Sequence, residues 1–203
     1  MKQIDSKKNA STSPVSLNQR AEDNLRFIRD TMEGASVFTG VSGMGYMGAG
    51  VTALLAAWLA EQQSNDAYWL LVWMLELVIA TAIAFSLLLR KTAQQGKSVF
   101  NASGRKLFLA FLPTMSVGGL LTLSFFLQGR TGLLPGIWLG LYGAAVMTAG
   151  VWSVRAIPVM GALFMGLAAG VLLTALPANL MLALGFGGLH IVFGFWIWRY
   201  HGG

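Results

Sequence analysis

Two residues with the chemistry to move a proton stand where water is scarce. Glu76 lies inside the run Trp73-Met74-Leu75-Glu76-Leu77-Val78-Ile79, and His190 inside Gly187-Gly188-Leu189-His190-Ile191-Val192-Phe193-Gly194. A carboxylic acid and an imidazole can exchange a proton, or bind a cation or a polar ligand between them. Each lies in an apolar run long enough to cross a bilayer. Glu76 is eight residues from the outer end of its run, about 12 Å deep at about 1.5 Å per residue, and His190 is ten residues in, about 15 Å deep. A charged carboxylate at such depth costs several kcal/mol. Glu76 must therefore be protonated, paired or turned toward a wet cavity.

Gly187, His190 and Gly194 follow one another at steps of three and four, on one face of a helix. Small residues on that face imply close packing against another helix, so His190 should point inward. Tyr142 falls at a similar depth in another run, beside Gly143. The expectation is one buried polar cluster of Glu76, Tyr142 and His190. It acts either as a hydrogen-bonded staple that fixes helix register or as a site for a proton, a cation or a polar ligand.

Other chemistry is poorly equipped. The chain has no cysteine, which removes disulfides, thiolate metal sites and cysteine nucleophiles. One carboxylate and one imidazole do not hold a metal, and no third strong ligand is apparent. A Ser/His/Asp arrangement lacks its second buried carboxylate. No catalytic residue, cofactor or metal site is therefore predicted. Gly43-Met44-Gly45-Tyr46-Met47-Gly48 matches the spacing of a dinucleotide-binding loop. That reading needs a strand before it and a βαβ unit, and neither is present. Glycines that let helices approach in lipid explain the run better. The same holds for the pairs Gly45 and Ala49, Gly136 and Gly140, and Gly166 and Gly170.

The elements that position these residues follow from composition. Of 203 residues, 55% are hydrophobic and 11% charged. Ordinary soluble domains carry about 25% charged residues. Hydrocarbon is the solvent that suits this surface, and each span needs about 20 residues. Six spans are predicted: Val37–Ala60, Tyr68–Leu89, Leu107–Leu127, Leu134–Trp152, Ile157–Ala175 and Leu180–Trp198. The short connections at 61–67, 128–133 and 176–179 make neighbours antiparallel, so the chain reads as three helical hairpins. The fold class is all-α: a polytopic bundle of about six transmembrane helices behind an N-terminal amphipathic helix. Residues 1–36 form a polar tail and that helix, and 37–203 the membrane domain. Prolines in spans three and five and near the starts of spans four and six suggest a repeated hairpin.

The tail to about residue 17 is polar and lacks the apolar stretch of a signal peptide. The helix that follows runs from about Leu17 to Gly34. Ser16 and Gln19 fit a capping box. Glu22 with Arg26, Arg26 with Asp30 and Arg29 with Glu33 lie four apart, where side chains meet on a helix surface. Leu25, Ile28 and Met32 form an apolar stripe with Phe27 beside it, suited to the membrane surface or to the bundle. Thirteen of the 14 Lys and Arg residues fall on the side shared by both termini, and only Arg130 on the other. The positive-inside rule then puts both termini in the cytoplasm. No basic stripe interleaved with aromatics is present, so the +6 net charge speaks for orientation and anionic lipid, not nucleic acid.

Asn24-Leu25-Arg26-Phe27-Ile28-Arg29-Asp30-Thr31-Met32-Glu33, Phe38-Thr39-Gly40-Val41-Ser42-Gly43 and Gly187–Gly194 resemble segments of a family of bacterial six-span integral membrane proteins. The resemblance implies a bacterial cytoplasmic membrane and brings no activity, cofactor or catalytic residue. Two functions are expected from different classes. The first is a non-enzymatic membrane component that binds a protein partner at the cytoplasmic face, through the N-terminal helix and the basic loop 90–106. The second is a small proton-coupled transporter or channel, working as a homo-oligomer, with Glu76 and His190 as its relay.

Overall fold

A computed structural model describes residues 17–35, 37–96, 98–174 and 176–201. The tail with its capping Ser16, Lys97 of the basic loop, and the Asp30 and Glu33 side chains of two expected ion pairs lie outside the described residues. The chain divides into two compact units, residues 1–35 and 36–203. In the first, α1 spans Leu17–Ala35. Its stripe is open: Leu25 is 66% exposed, Ile28 52% and Met32 69%.

The second unit is an all-α polytopic membrane domain. Among the described residues, six helices are long and apolar enough to cross a membrane: α2 (Gly43–Glu61), α3 (Asp66–Gln94), α4 (Ala102–Leu127), α5 with its entering turn (Thr131–Gly150), α6 (Ala156–Leu173) and α7 (Ala178–His201). Long apolar side chains such as Leu75, Val78, Leu120 and Leu123 cover the outside, as contact with lipid requires.

Polar residues set the helix ends. Ser42, Asn65 and Asn101 cap α2, α3 and α4, each accepting from a free amide of the first turn. Gly129 ends α4 with φ 67°, and Arg130 N donates back to Phe125 O at 2.8 Å. A side chain is strained in that left-handed conformation.

The first span differs from the expected Val37–Ala60, because α2 begins only at Gly43. Residues 37–42 form a non-helical strap, with Phe38 bridged to Ser153 and Ser42 extended. Phe38 N donates to Trp152 O at 2.8 Å, and Ser153 Oγ donates to Phe38 O at 3.0 Å. Lys91 Nζ, buried at the far end of α3, donates to Val41 O at 2.9 Å and to His201 O at 3.1 Å. The strap has carbonyls and amides to satisfy, and the bundle meets both of those on Phe38 and the carbonyl of Val41.

Helices α2, α5, α6 and α7 build the core, while α3 packs on α2 and α4 on α5. Two of the expected hairpins, α2–α3 and α4–α5, are packed pairs. Helix α6 instead makes its largest contact with α5, the helix before it. Gly143 and Gly161 explain this, since a Cβ on Gly161 would lie 2.6 Å from the Gly143 carbonyl oxygen. The run at 43–48 also serves packing: Gly43 lies against the backbone of α7 at Trp198, and Gly45 and Gly48 against Ala84 and Ile83 of α3.

Candidate functional site

Helix α7 opens as an α-turn, widens into a π-helix over Ala183–Leu189 and returns to α-helix at His190. Three glycines in those seven residues lower the resistance to this winding, and two are pressed by neighbours. Gly185 faces Leu139 and Phe164, and Gly187 faces Leu54. A π segment rotates the residues after it relative to those before, and such segments recur at functional sites. Here it aims His190 into the bundle.

His190 is 7% exposed and enclosed by aromatic rings. Tyr46, Tyr142, Phe164 and Phe186 have ring centres 5.3, 5.5, 5.6 and 6.2 Å from its own. Tyr142 OH and His190 Nε2 are 2.7 Å apart, a full hydrogen bond between α5 and α7. On the other side of the ring, Nδ1 has a longer 3.4 Å contact with the Gly185 carbonyl, which can only accept. In the neutral ring the proton therefore belongs on Nδ1. Nε2 then accepts from the Tyr142 hydroxyl.

Glu76 is also 7% exposed, but it does not join this pair. Its Oε1 accepts from Thr52 Oγ1 at 2.9 Å. The expected cluster of three thus becomes two separate pairs, Tyr142–His190 and Thr52–Glu76. The physical reason is the packing of the helices. Glu76 rides on α3, which packs on α2, so the nearest polar side chain is one that α2 supplies. Depth along the membrane agreed for all three residues, but depth says nothing of the direction in which each helix turns its side chains. The Thr52 hydroxyl also lies 3.0 Å from Ala49 O and 3.3 Å from Gly48 O, its own helix's carbonyls. One hydroxyl proton cannot serve all three acceptors; the Glu76 contact is the shortest.

A column of aromatic rings runs from His190 toward the start of α3. Phe186 meets Trp73 at 6.1 Å, Trp73 meets Trp138 at 6.4 Å, and Trp138 stacks on Trp69 at 5.4 Å with planes 8° apart. Trp138 Nε1 donates to Thr122 Oγ1 of α4 at 2.8 Å, tying α4 to α5. Trp73 Nε1 is buried with no hydrogen-bond partner among the described residues. Trp69 stands near the end of its span, where interfacial aromatics gather, yet it stacks inside the domain. Thr52, Tyr46, Trp73 and Trp138 are the residues that reading the sequence missed. Thr52 carried one legible signal, as the only hydroxyl between Tyr46 and Glu61 in an otherwise apolar helix.

No family model, curated protein or solved structure matches this chain. The site must be interpreted from its own geometry. Among the described residues no group of three or more His, Cys, Asp or Glu is placed to hold a metal ion. The arrangement can do two things. Each pair locks one helix against another through a hydrogen bond that lipid cannot replace. The Tyr142–His190 pair can in addition pass a proton between a phenol and an imidazole.

Proposed function

We propose that this chain is a non-enzymatic component of a bacterial cytoplasmic membrane, with both termini in the cytoplasm, that acts through a protein partner held by α1 and the loop 90–106. The observation that carries the proposal is the character of α1. Its apolar stripe is open, and its polar face is of mixed charge. Residues 17–35 hold Arg20, Arg26 and Arg29 against Glu22, Asp23, Asp30 and Glu33, a net charge of −1. Helices that lie on anionic lipid carry a polar face rich in Lys and Arg. A mixed-charge face beside an apolar stripe suits another protein helix. The 13-to-1 division of basic residues supports the orientation.

The test is recovery of bound proteins from cross-linked cells with the full chain and with a triple variant, Leu25→Ser, Ile28→Ser and Met32→Ser. The expected result is a protein adduct that the variant loses. Equal adducts in both would overturn the proposal. Orientation is checked with single cysteines at Ser98 and Gln128, both exposed. Only Gln128→Cys should react with an impermeant maleimide added to intact cells.

A second reading has one observation in its favour. The π segment delivers His190 to a hydroxyl deep in the membrane, as a proton-coupled transporter or channel would require. Proton flux into liposomes containing Glu76→Gln and His190→Gln variants decides it. Flux equal to that of the unaltered chain removes this reading.

A further inference from the structure

The sequence of α1 repeats with a stricter period than its stripe alone reveals. Ala21, Leu25, Ile28 and Met32 follow at steps of four, three and four, the spacing of a coiled-coil seam. All four side chains are exposed. If Leu25 and Met32 take position a, Ala21 and Ile28 take position d. The residues flanking the seam are then Glu22 and Arg29 at position e and Asn24 and Thr31 at position g. Phe27 falls at position c, away from the seam.

Those flanks distinguish one occupant from others. In a parallel pair, position g faces position e of the other helix, which sets neutral Asn24 beside Arg29 and gains no ion pair. In an antiparallel pair, e faces e and g faces g. Leu25 of one copy then meets Ile28 of the other, and Ala21 meets Met32. In this register Glu22 stands across from Arg29 of the second copy, and Arg29 across from its Glu22. Both contacts are attractive and related by one two-fold axis. Asn24 and Thr31 likewise face each other twice and need no charged partner. A surface whose charges match themselves under a two-fold rotation is what a closed homodimer requires. We infer that the partner of α1 is a second copy of this chain, whose α1 pairs with it antiparallel along the seam of Ala21, Leu25, Ile28 and Met32. This rests on the reading that α1 binds protein, and it names the protein. Two short helices form a weak pair alone. Anchorage of both copies in one membrane raises their effective concentration enough to matter.

The natural chain contains no cysteine, so introduced cysteines report without background. Full-length chains bearing Ala21→Cys and Met32→Cys, with different tags, are co-expressed and oxidised in membranes. The expected result is a mixed disulfide between the two forms, with little homodimer of either. In the antiparallel register Cys at position 21 meets position 32, whereas two copies of position 21 lie about 16 Å apart. A parallel pair reverses this pattern, and homodimers without the mixed species would overturn the inference. Glu22→Arg should lower the mixed disulfide about fivefold, because both attractive contacts become repulsive. Adding Arg29→Glu should restore it, which a merely unfolded helix would not do. A bifunctional maleimide on the same chains separates the remaining failures. An adduct to a different polypeptide would sink the self-pairing and leave the partner reading standing, while no protein adduct at all would end both.

Discussion

The four inner helices and the two outer ones solve the same problem by different means. In the most apolar 18 residues of α2, α5 and α7, 44% are buried and in those of α6 33%, against 11% in α3 and α4. The inner helices meet through glycine, backbone against backbone, and owe their positions to shape. On α3 the buried residues are only Trp73, Glu76, Lys91 and Thr92, and on α4 only Ser103 and Gly104. The outer helices are thus pinned at a few points, several of them polar. Lipid does not drive helices together as water would, so association comes from close contact or from hydrogen bonds. The inner set relies chiefly on the first and the outer set more on the second.

The largest test of this contrast is steric. Gly161→Leu would drive a side chain into the α5 backbone, and should cost more than the roughly 1–3 kcal/mol of ordinary overpacking. Gly119→Leu on α4, where a Cβ would meet nothing within 4 Å, should leave stability unchanged. Thermal unfolding in detergent compares the two, and equal losses would erase the distinction between inner and outer helices.

Next in size is Lys91→Met. It removes the donor to Val41 O and His201 O, and leaves the buried strap with an unanswered carbonyl. A loss of about 1.5–3 kcal/mol is expected, as for hydrogen bonds to a charged group. Faster amide exchange confined to residues 38–42 would accompany it; unchanged exchange there would show that the strap is held by something else.

The two buried pairs give a finer comparison, since each joins two helices through one hydroxyl hydrogen bond. Tyr142→Phe leaves a ring nitrogen without its hydrogen bond in a closed aromatic shell, and should cost about 1–2 kcal/mol. Thr52→Val on the outer contact should cost about 0.6 kcal/mol, the usual worth of a hydrogen bond between membrane helices. Equilibrium unfolding in mixed micelles measures both. A greater loss for Thr52→Val would reverse the ranking of inner over outer.

Much of the architecture was legible before any tertiary contact was known. The six spans, the short connections and the apolar stripe of α1 follow from hydropathy and spacing. The ends were harder. Residues 37–42 fall at the start of the first span, where the glycines that follow also allow an irregular entry; Ser42 caps α2 at Gly43, and Phe38 is spent on Trp152 and Ser153. The π segment was hidden too. Three glycines in seven residues permit it, but the neighbours Leu139, Phe164 and Leu54 press on two of them.

For the candidate site, the sequence determined which groups are costly and how deep they lie. Glu76, Tyr142 and His190 had to be answered because hydrocarbon offers no hydrogen bonds, a demand the bilayer makes on every helix separately. What answers them was decided only by how the helices turn and which neighbour each meets. Rotation about a helix axis changes a polar partner without changing depth, length or hydropathy. So Glu76 found Thr52, and Tyr142 found His190, for reasons that exist only between helices.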